Sequence, residues 1–224
     1  MTSILKAENL RFAYSGGADL FKEINISLHS GEILGITGPS GCGKTTLIYC
    51  LSGIIPHIYP GLFAGTVEIE GEDTRNLTLP RIAQKLGIVF QDPNTQLFSH
   101  ALEDDVVFGP ENLCLPWAEM DRRLQKSLKI TGMLNYRYRK PQTLSGGEAQ
   151  LSALSAVLAL EPAILIFDEA ASRLDEKSAE MLLDRILKLK NEGRGIIFVD
   201  HDQERLKIAD RTFLLEEGIL YENG

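Results

Sequence analysis

Cysteine is scarce in this chain: three residues, Cys42, Cys50 and Cys114, at irregular spacing. An odd, scattered set fits neither a disulfide framework nor a metal-binding pattern, so reduced thiols are expected. A basic surplus is also missing. Lys and Arg number 23 against 31 Asp and Glu, a formal net charge of −8. Nucleic-acid binders carry a basic stripe or excess, so no nucleic-acid partner is expected. No apolar run approaches the roughly 18 residues that cross a bilayer. The longest, 151–167, is broken by Ser152, Ser155, Glu161 and Pro162. Residues 1–8 do not form a signal peptide. Together these absences predict a cytosolic chain that reaches a membrane only through a partner. Internal repeats, low-complexity tracts and long linkers are absent as well. What remains is an ordinary globular composition, 44% hydrophobic and 24% charged over 224 residues, enough for one substantial domain with a lobe attached.

Alternation of strands and helices marks the C-terminal part. Residues 163–167 form an apolar run bounded by Pro162 and Asp168. Leu182, Leu183, Ile186, Leu187 and Leu189 recur at helical spacing within 178–191, and 195–199 and 212–215 read as further buried strands. With 33–37 and 86–90 this makes about five buried strands joined by helices, an α/β architecture with a largely parallel sheet covered on both faces. Such sheets bind ligands at the carboxyl ends of their strands. The N-terminal segments 4–14, 24–29 and 66–69 are short and β-like and predict an antiparallel flap beside the core. Residues 91–160 hold few β-branched runs. Within them 117–130 reads as an amphipathic helix with Trp117, Leu124 and Leu128 on its apolar side, so this middle is expected to be an inserted helical lobe.

Gly38-Pro39-Ser40-Gly41-Cys42-Gly43-Lys44-Thr45 matches G-x-x-x-x-G-K-[ST] at every fixed position. It lies between a predicted strand and a helix over 45–51, the context the motif needs. Its glycines let backbone N–H groups turn inward around phosphate oxygens, and the helix N-terminus behind them carries about half a positive charge. Lys44 would reach the β- and γ-phosphates of a nucleoside triphosphate, and the Thr45 hydroxyl would ligate Mg²⁺. Modification of Cys42, inside the loop, is expected to block nucleotide binding. The strand 164–167 ends in Asp168 and Glu169. After a phosphate loop, the first carboxylate supports Mg²⁺ directly or through water, and the second can orient or deprotonate an attacking water.

Leu144-Ser145-Gly146-Gly147-Glu148-Ala149-Gln150 precedes a helical run over 151–160. Ser145 is a plausible N-cap, and the N–H groups of Gly146 and Gly147 form a second anion site. These residues resemble the L-S-G-G-Q signature of ABC-type ATPases, and the family's other motifs follow in order. Tyr14 matches the aromatic that stacks on adenine, although a packed aromatic is the plainer alternative. Gln91 matches the Q-loop glutamine, Ser172-Arg173-Leu174-Asp175 resembles the D-loop, and His201 matches the switch histidine. The likeness spans essentially the whole chain. It implies one ABC ATPase domain over 1–224, with a core of about 1–90 and 161–224 and a helical lobe of about 91–160. The cofactors implied are ATP and Mg²⁺, the metal held by Thr45, Gln91 and Asp168. Nucleotide would lie on Tyr14 and Gly38 to Thr46, covered in trans by Ser145, Gly146 and Gly147 of a second ATPase subunit. Lys44, Gln91, Glu169 and His201 are the implied catalytic residues, with Glu169 as the base.

A finer resemblance lies in 90–98 and 103–112, where Gln96 and Phe108-Gly109-Pro110-Glu111-Asn112 look like the ATPase subunits of energy-coupling-factor transporters, which take up vitamins and transition-metal ions. It implies a transmembrane T-type coupling protein and a substrate-binding membrane subunit as partners, and a peripheral place on the cytoplasmic membrane face. The acids Glu103, Asp104 and Asp105 would either meet a positive charge on the coupling protein or form a solvated helix start. The alternatives are the ATPase of a conventional ABC importer or exporter, a soluble ABC ATPase, and a regulator without turnover. Three departures stand out: Glu148 where glutamine is usual, Leu151 where arginine is common, and Ala170-Ala171 in place of Pro-Thr. The chain also ends soon after its last predicted strand, so regulation through a C-terminal extension is not expected.

Overall fold

In the computed structural model, residues 3–223 are described and form two sheets with helices between and around them. Strands β1 (Ser3–Tyr14), β2 (Phe21–His29), β4 (Gly61–Ile69) and β5 (Glu72–Asp73) make an antiparallel sheet in the order β2-β1-β4-β5. This is the expected flap, with β4 longer than the stretch 66–69. The larger sheet runs β10-β9-β3-β8-β7-β6, from β3 (Ile33–Thr37), β6 (Leu86–Val89), β7 (Ile164–Asp168), β8 (Gly195–Val199), β9 (Arg211–Glu216) and β10 (Ile219–Asn223). Its strands pair in parallel from β9 through β3, β8 and β7 to β6, and β10 closes the far edge antiparallel to β9.

Period-two alternation divides each central strand between two cores. Ile164 and Ile166 of β7 face a cluster shared with the smaller sheet and α1 (Lys44–Leu51), while Leu165 and Phe167 face the opposite one. Burial on both faces explains why these strands read as continuous apolar runs. The second cluster is closed by α4 (Leu102–Asn112), α5 (Trp117–Thr131), α6 (Gly146–Leu158) and α7 (Glu176–Asn191). Three further α-helices are short: α2 (Ile54–His57), α3 (Leu79–Lys85) and α8 (Gln203–Leu206). Leu124 and Leu128 of α5 are buried as expected, but Trp117 is 69% exposed. It is the first residue of its helix and lies outside the apolar stripe.

The expected acidic cluster divides in three. The Glu103 carboxylate accepts from Arg137 Nε at 2.7 Å. Asp105 is buried, and its Oδ1 accepts the N–H groups of Phe98 at 3.1 Å and Ser99 at 3.0 Å. Only Asp104 is exposed without an ion pair. Asp105 therefore shapes the loop before α4 and does not face a partner. Asp105→Ala is expected to cost about 1–3 kcal/mol by leaving two backbone donors without their acceptor, and Asp105→Asn less, because its amide oxygen still accepts; urea unfolding midpoints check both.

Candidate functional site

Because β3, β8, β7 and β6 run in parallel, their carboxyl ends share one side of the sheet, and the motifs that follow each strand meet there. A cleft of about 350 Å³ is lined by Ser40, Gly41, Gly43, Lys44, Thr45, Thr46, Gln91, Asp168 and Glu169. Gly38 leaves β3 at φ 155, and Gly41 and Gly43 take φ 79 and 104. At Gly38 a Cβ would sit 2.3 Å from the Leu215 carbonyl oxygen, so the loop can turn there only without a side chain.

Lys44 folds back over the loop, with Nζ donating to the carbonyls of Gly38 at 3.0 Å and Pro39 at 3.2 Å. It also lies 3.3 Å from Glu169 Oε1. Glu169 has a left-handed backbone, φ 50, uncommon for a residue with a Cβ. Its N–H donates to the Val199 carbonyl at 3.0 Å and its own carbonyl accepts from Ser172 Oγ at 2.7 Å. These bonds hold the turn, and the turn aims the carboxylate at Lys44. Gln91 Nε2 lies 3.3 Å from Glu169 Oε2 and 2.9 Å from Ser172 Oγ. Gln91 is itself held in place by Gln96, which bonds both sides of the chain before it. Gln96 accepts from Phe90 N at 3.0 Å and donates to the Ile88 carbonyl at 3.0 Å.

The Thr45 hydroxyl donates to Asp168 Oδ2 at 3.0 Å. Asp168 is 6% exposed. Burial raises its carboxyl above the usual range, and the Thr45 hydroxyl and the Lys44 charge oppose that rise. A hydroxyl, a carboxylate and a nearby amide form an all-oxygen donor set that suits Mg²⁺. Among the described residues no cluster of three or more His, Cys, Asp or Glu could hold a metal alone. A cation here would thus share its coordination with phosphate oxygens and water, as Mg²⁺ habitually does.

Tyr14 is half exposed, with its hydroxyl 3.1 Å from Thr46 Oγ1, so β1 carries an open aromatic face to the edge of the phosphate loop. Cys42 sits in the loop with a free thiol. His201 follows β8 one residue after Asp200, and its side chain is 63% exposed and outside the lining of the cleft.

Ser145, Gly146 and Gly147 are elsewhere. Ser145 and Gly147 border a separate cleft of about 460 Å³, lined also by Glu148, Asp175 and Ser178, with no residue in common with the first, and Gly146, the first residue of α6, borders a third cleft that includes Gln91. Ser145 is the N-cap, and it forms a reciprocal capping box with Glu148. Glu148 N donates to Ser145 Oγ at 3.3 Å, and Ser145 N donates to Glu148 Oε2 at 2.8 Å. That N–H, followed by the Tyr136 hydroxyl, holds the Glu148 carboxyl below its ordinary value. The unusual acid is thereby occupied as the cap of the turn that carries Ser145.

A family model described as ABC transporter matches residues 21–172. The chain belongs to the ABC transporter family. As a member it binds ATP and hydrolyses it to power transport. Among its relatives, the "Energy-coupling factor transporter ATP-binding protein EcfA" of Methanosarcina acetivorans is 40% identical over 99% of this chain and 79% of the relative. The protein of the same name from Methanothermobacter thermautotrophicus is 38% identical over 99% of this chain and 70% of its own length. A longer Methanosarcina acetivorans relative, a "Putative ABC transporter ATP-binding protein", is 36% identical, and the chain spans 34% of it. Among solved structures, cbiO1 from Clostridium perfringens, described as part of the ABC transporter complex cbiONQ, superposes with a TM-score of 0.89 at 32% identity. That match covers 99% of this ABC ATPase and 88% of the other chain. These likenesses put the chain with the ATPases of energy-coupling-factor transporters.

Ser172 and Gln96 are the site residues that sequence reasoning left without a task. Ser172 lay within the D-loop resemblance, and Gln96 was singled out only as a family mark. Their hydrogen bonds to Gln91 and its flanks depend on chain folding that no local pattern reveals.

Proposed function

We propose that this chain is the energising subunit of a membrane uptake system for a vitamin or a transition-metal ion. It would work on the cytoplasmic membrane face, bound to a T-type coupling protein and a substrate-binding membrane subunit. The observation that carries the reading is the separation of the two clefts. Lys44, Thr45, Gln91, Asp168 and Glu169 line one, whereas Ser145 and Gly147 line another that shares none of them, and Gly146 borders a third cleft that touches the first only through Gln91. A second ATPase subunit, identical or paralogous, facing the first head to tail, would bring each turn onto the other's nucleotide. ATP would then hold the pair together, and loss of the γ-phosphate would weaken closure. The chain would act as one domain, with 91–160 as a helical lobe on the core.

Within each cleft the phosphate loop and Lys44 would hold the β- and γ-phosphates, and Tyr14 would stack on the adenine. Thr45, Asp168 and Gln91 are the residues to hold Mg²⁺, which when bound neutralises charge on the transferring phosphoryl group. Glu169 would take the proton of the attacking water, and His201 would contact the γ-phosphate. Gln91, with one bond to Glu169 and one to Ser172, links the reacting end of the cleft to the loop before α4.

Affinity capture of the full chain from detergent-solubilised native membranes, followed by mass spectrometry, tests this reading. A small coupling protein together with a solute-binding membrane subunit is the expected result. A conventional permease would move the chain to the ordinary importers, and ribosomal or DNA-associated proteins alone would refute transport.

A further inference from the structure

The end of β8 holds a buried charge that the scheme above does not use. Asp200 is 0% exposed. Its Oδ1 accepts the Asp202 N–H at 2.9 Å, which closes the turn into α8. Its Oδ2 has no hydrogen-bond partner, and the Arg205 guanidinium faces it with Nη1 at 3.5 Å. A carboxylate removed from water is costly unless a cation faces it, so Asp200 anchors Arg205 against the protein. The same Nη1 donates to the Ala171 carbonyl at 3.0 Å. One guanidinium therefore joins the start of α8 to the turn that follows Glu169.

Backbone bonds place both joined segments at the reacting end of the sheet. Asp200 N donates to the Ile36 carbonyl at 3.2 Å, just ahead of the phosphate loop. Glu169 N donates to the Val199 carbonyl at 3.0 Å. Ala171 lies between Glu169 and Ser172, and His201 follows Asp200 in the chain, with its Nδ1 3.7 Å from Asp200 Oδ1. Beyond the strand, the hydrogen bond from Arg205 to Ala171 is a cross-link between the Glu169 turn and the His201 turn.

We propose that Arg205 is a positioning residue for ATP hydrolysis: anchored by the buried Asp200 carboxylate, it ties the turn after Glu169 to the turn that carries His201, so that base and histidine keep one spacing. The inference rests on the roles given above to Glu169 and His201. A bridge that served stability alone would change melting and leave turnover per folded molecule untouched. A positioning bridge changes kcat, because a displacement of about 1 Å at the reacting groups costs about 100-fold.

The test is steady-state hydrolysis and equilibrium ATP binding of the full chain, with melting measured on each variant. Arg205→Met leaves Asp200 without its cation and can fail to fold, so the deciding variant is Asp200→Asn with Arg205→Met, which removes both charges. The expected result is kcat lower by about 10- to 100-fold, with ATP binding and KM within about twofold of wild type. Arg205→Lys, whose ammonium can still bridge carbonyl and carboxylate, is expected to recover most of kcat. A folded double variant with wild-type kcat overturns the inference, as does a loss explained wholly by a higher KM. Glu169→Gln run alongside separates the two readings. Normal turnover in that variant removes the role of Glu169, whereas its inactivity beside a fully active double variant removes only that of Arg205.

Discussion

Glu169→Gln is expected to bind ATP like the wild type and to hydrolyse it about 10²- to 10⁴-fold more slowly, the span a positioned general base contributes. The substitution is isosteric. The left-handed turn at φ 50 is held by backbone bonds to Val199 and Ser172, which the side chain does not make. Lys44 loses the carboxylate at 3.3 Å but keeps the Gly38 and Pro39 carbonyls, so the phosphate loop retains its shape. What disappears is the ability to accept a proton from water. Equilibrium binding of labelled ATP and single-turnover hydrolysis check the two halves separately. Retained binding with lost turnover supports Glu169 as the base, and near-normal steady-state turnover rejects it.

The same turn shows how far the chain could be read before its fold was known. Strands β3, β7 and β8 are legible because both of their faces are buried, which makes every residue apolar and each run short and bounded. The motifs at their ends are legible because phosphate chemistry fixes residue types at fixed spacing. Strand β10 was missed, since its side chains are mostly exposed and it exists by pairing with β9. The two-residue β5 likewise depends on β4. Asp105 shows the limit for single residues. Sequence presents it as the third of three acids, yet its neighbours Glu103 and Asp104 lie elsewhere on α4, and only Asp105 turns in to accept the Phe98 and Ser99 amides, through Oδ1. Trp117 failed in the opposite sense, because an apolar residue at the first position of a helix need not lie on its buried stripe.

Glu148 shows why a departure from a family pattern needs the fold before it can be weighed. As a charge beside a phosphate site it reads as a penalty. In the fold its carboxylate accepts from the Ser145 N–H and the Tyr136 hydroxyl, a helix start where acids are favoured. The acid thus stabilises the turn that carries Ser145.

Gly147→Ala is expected to abolish most ATPase activity and to destabilise the fold, for a reason that the signature alone does not disclose. Alanine is the better helix former by about 1 kcal/mol, and Gly147 does not take a left-handed backbone, so local propensity favours the substitution. Packing opposes it. A Cβ there would lie 2.4 Å from Ser178 Oγ and 2.6 Å from Ser178 Cβ. Overpacking of this kind costs about 1–3 kcal/mol, which outweighs the gain. Ser178 cannot simply rotate away, because its Oγ donates to Asp175 Oδ2 at 2.7 Å and its N–H to Asp175 Oδ1 at 3.0 Å. Relief must therefore come from shifting the start of α7 or the Ser145–Gly147 turn, and both border the second cleft. Gly147→Ala with Ser178→Gly removes both clashing atoms. If that pair restores melting but hydrolysis stays at least 100-fold down, the glycine is required where a partner's phosphate approaches. If the pair restores hydrolysis as well, close helix packing is its whole purpose and the in-trans role of Gly147 falls.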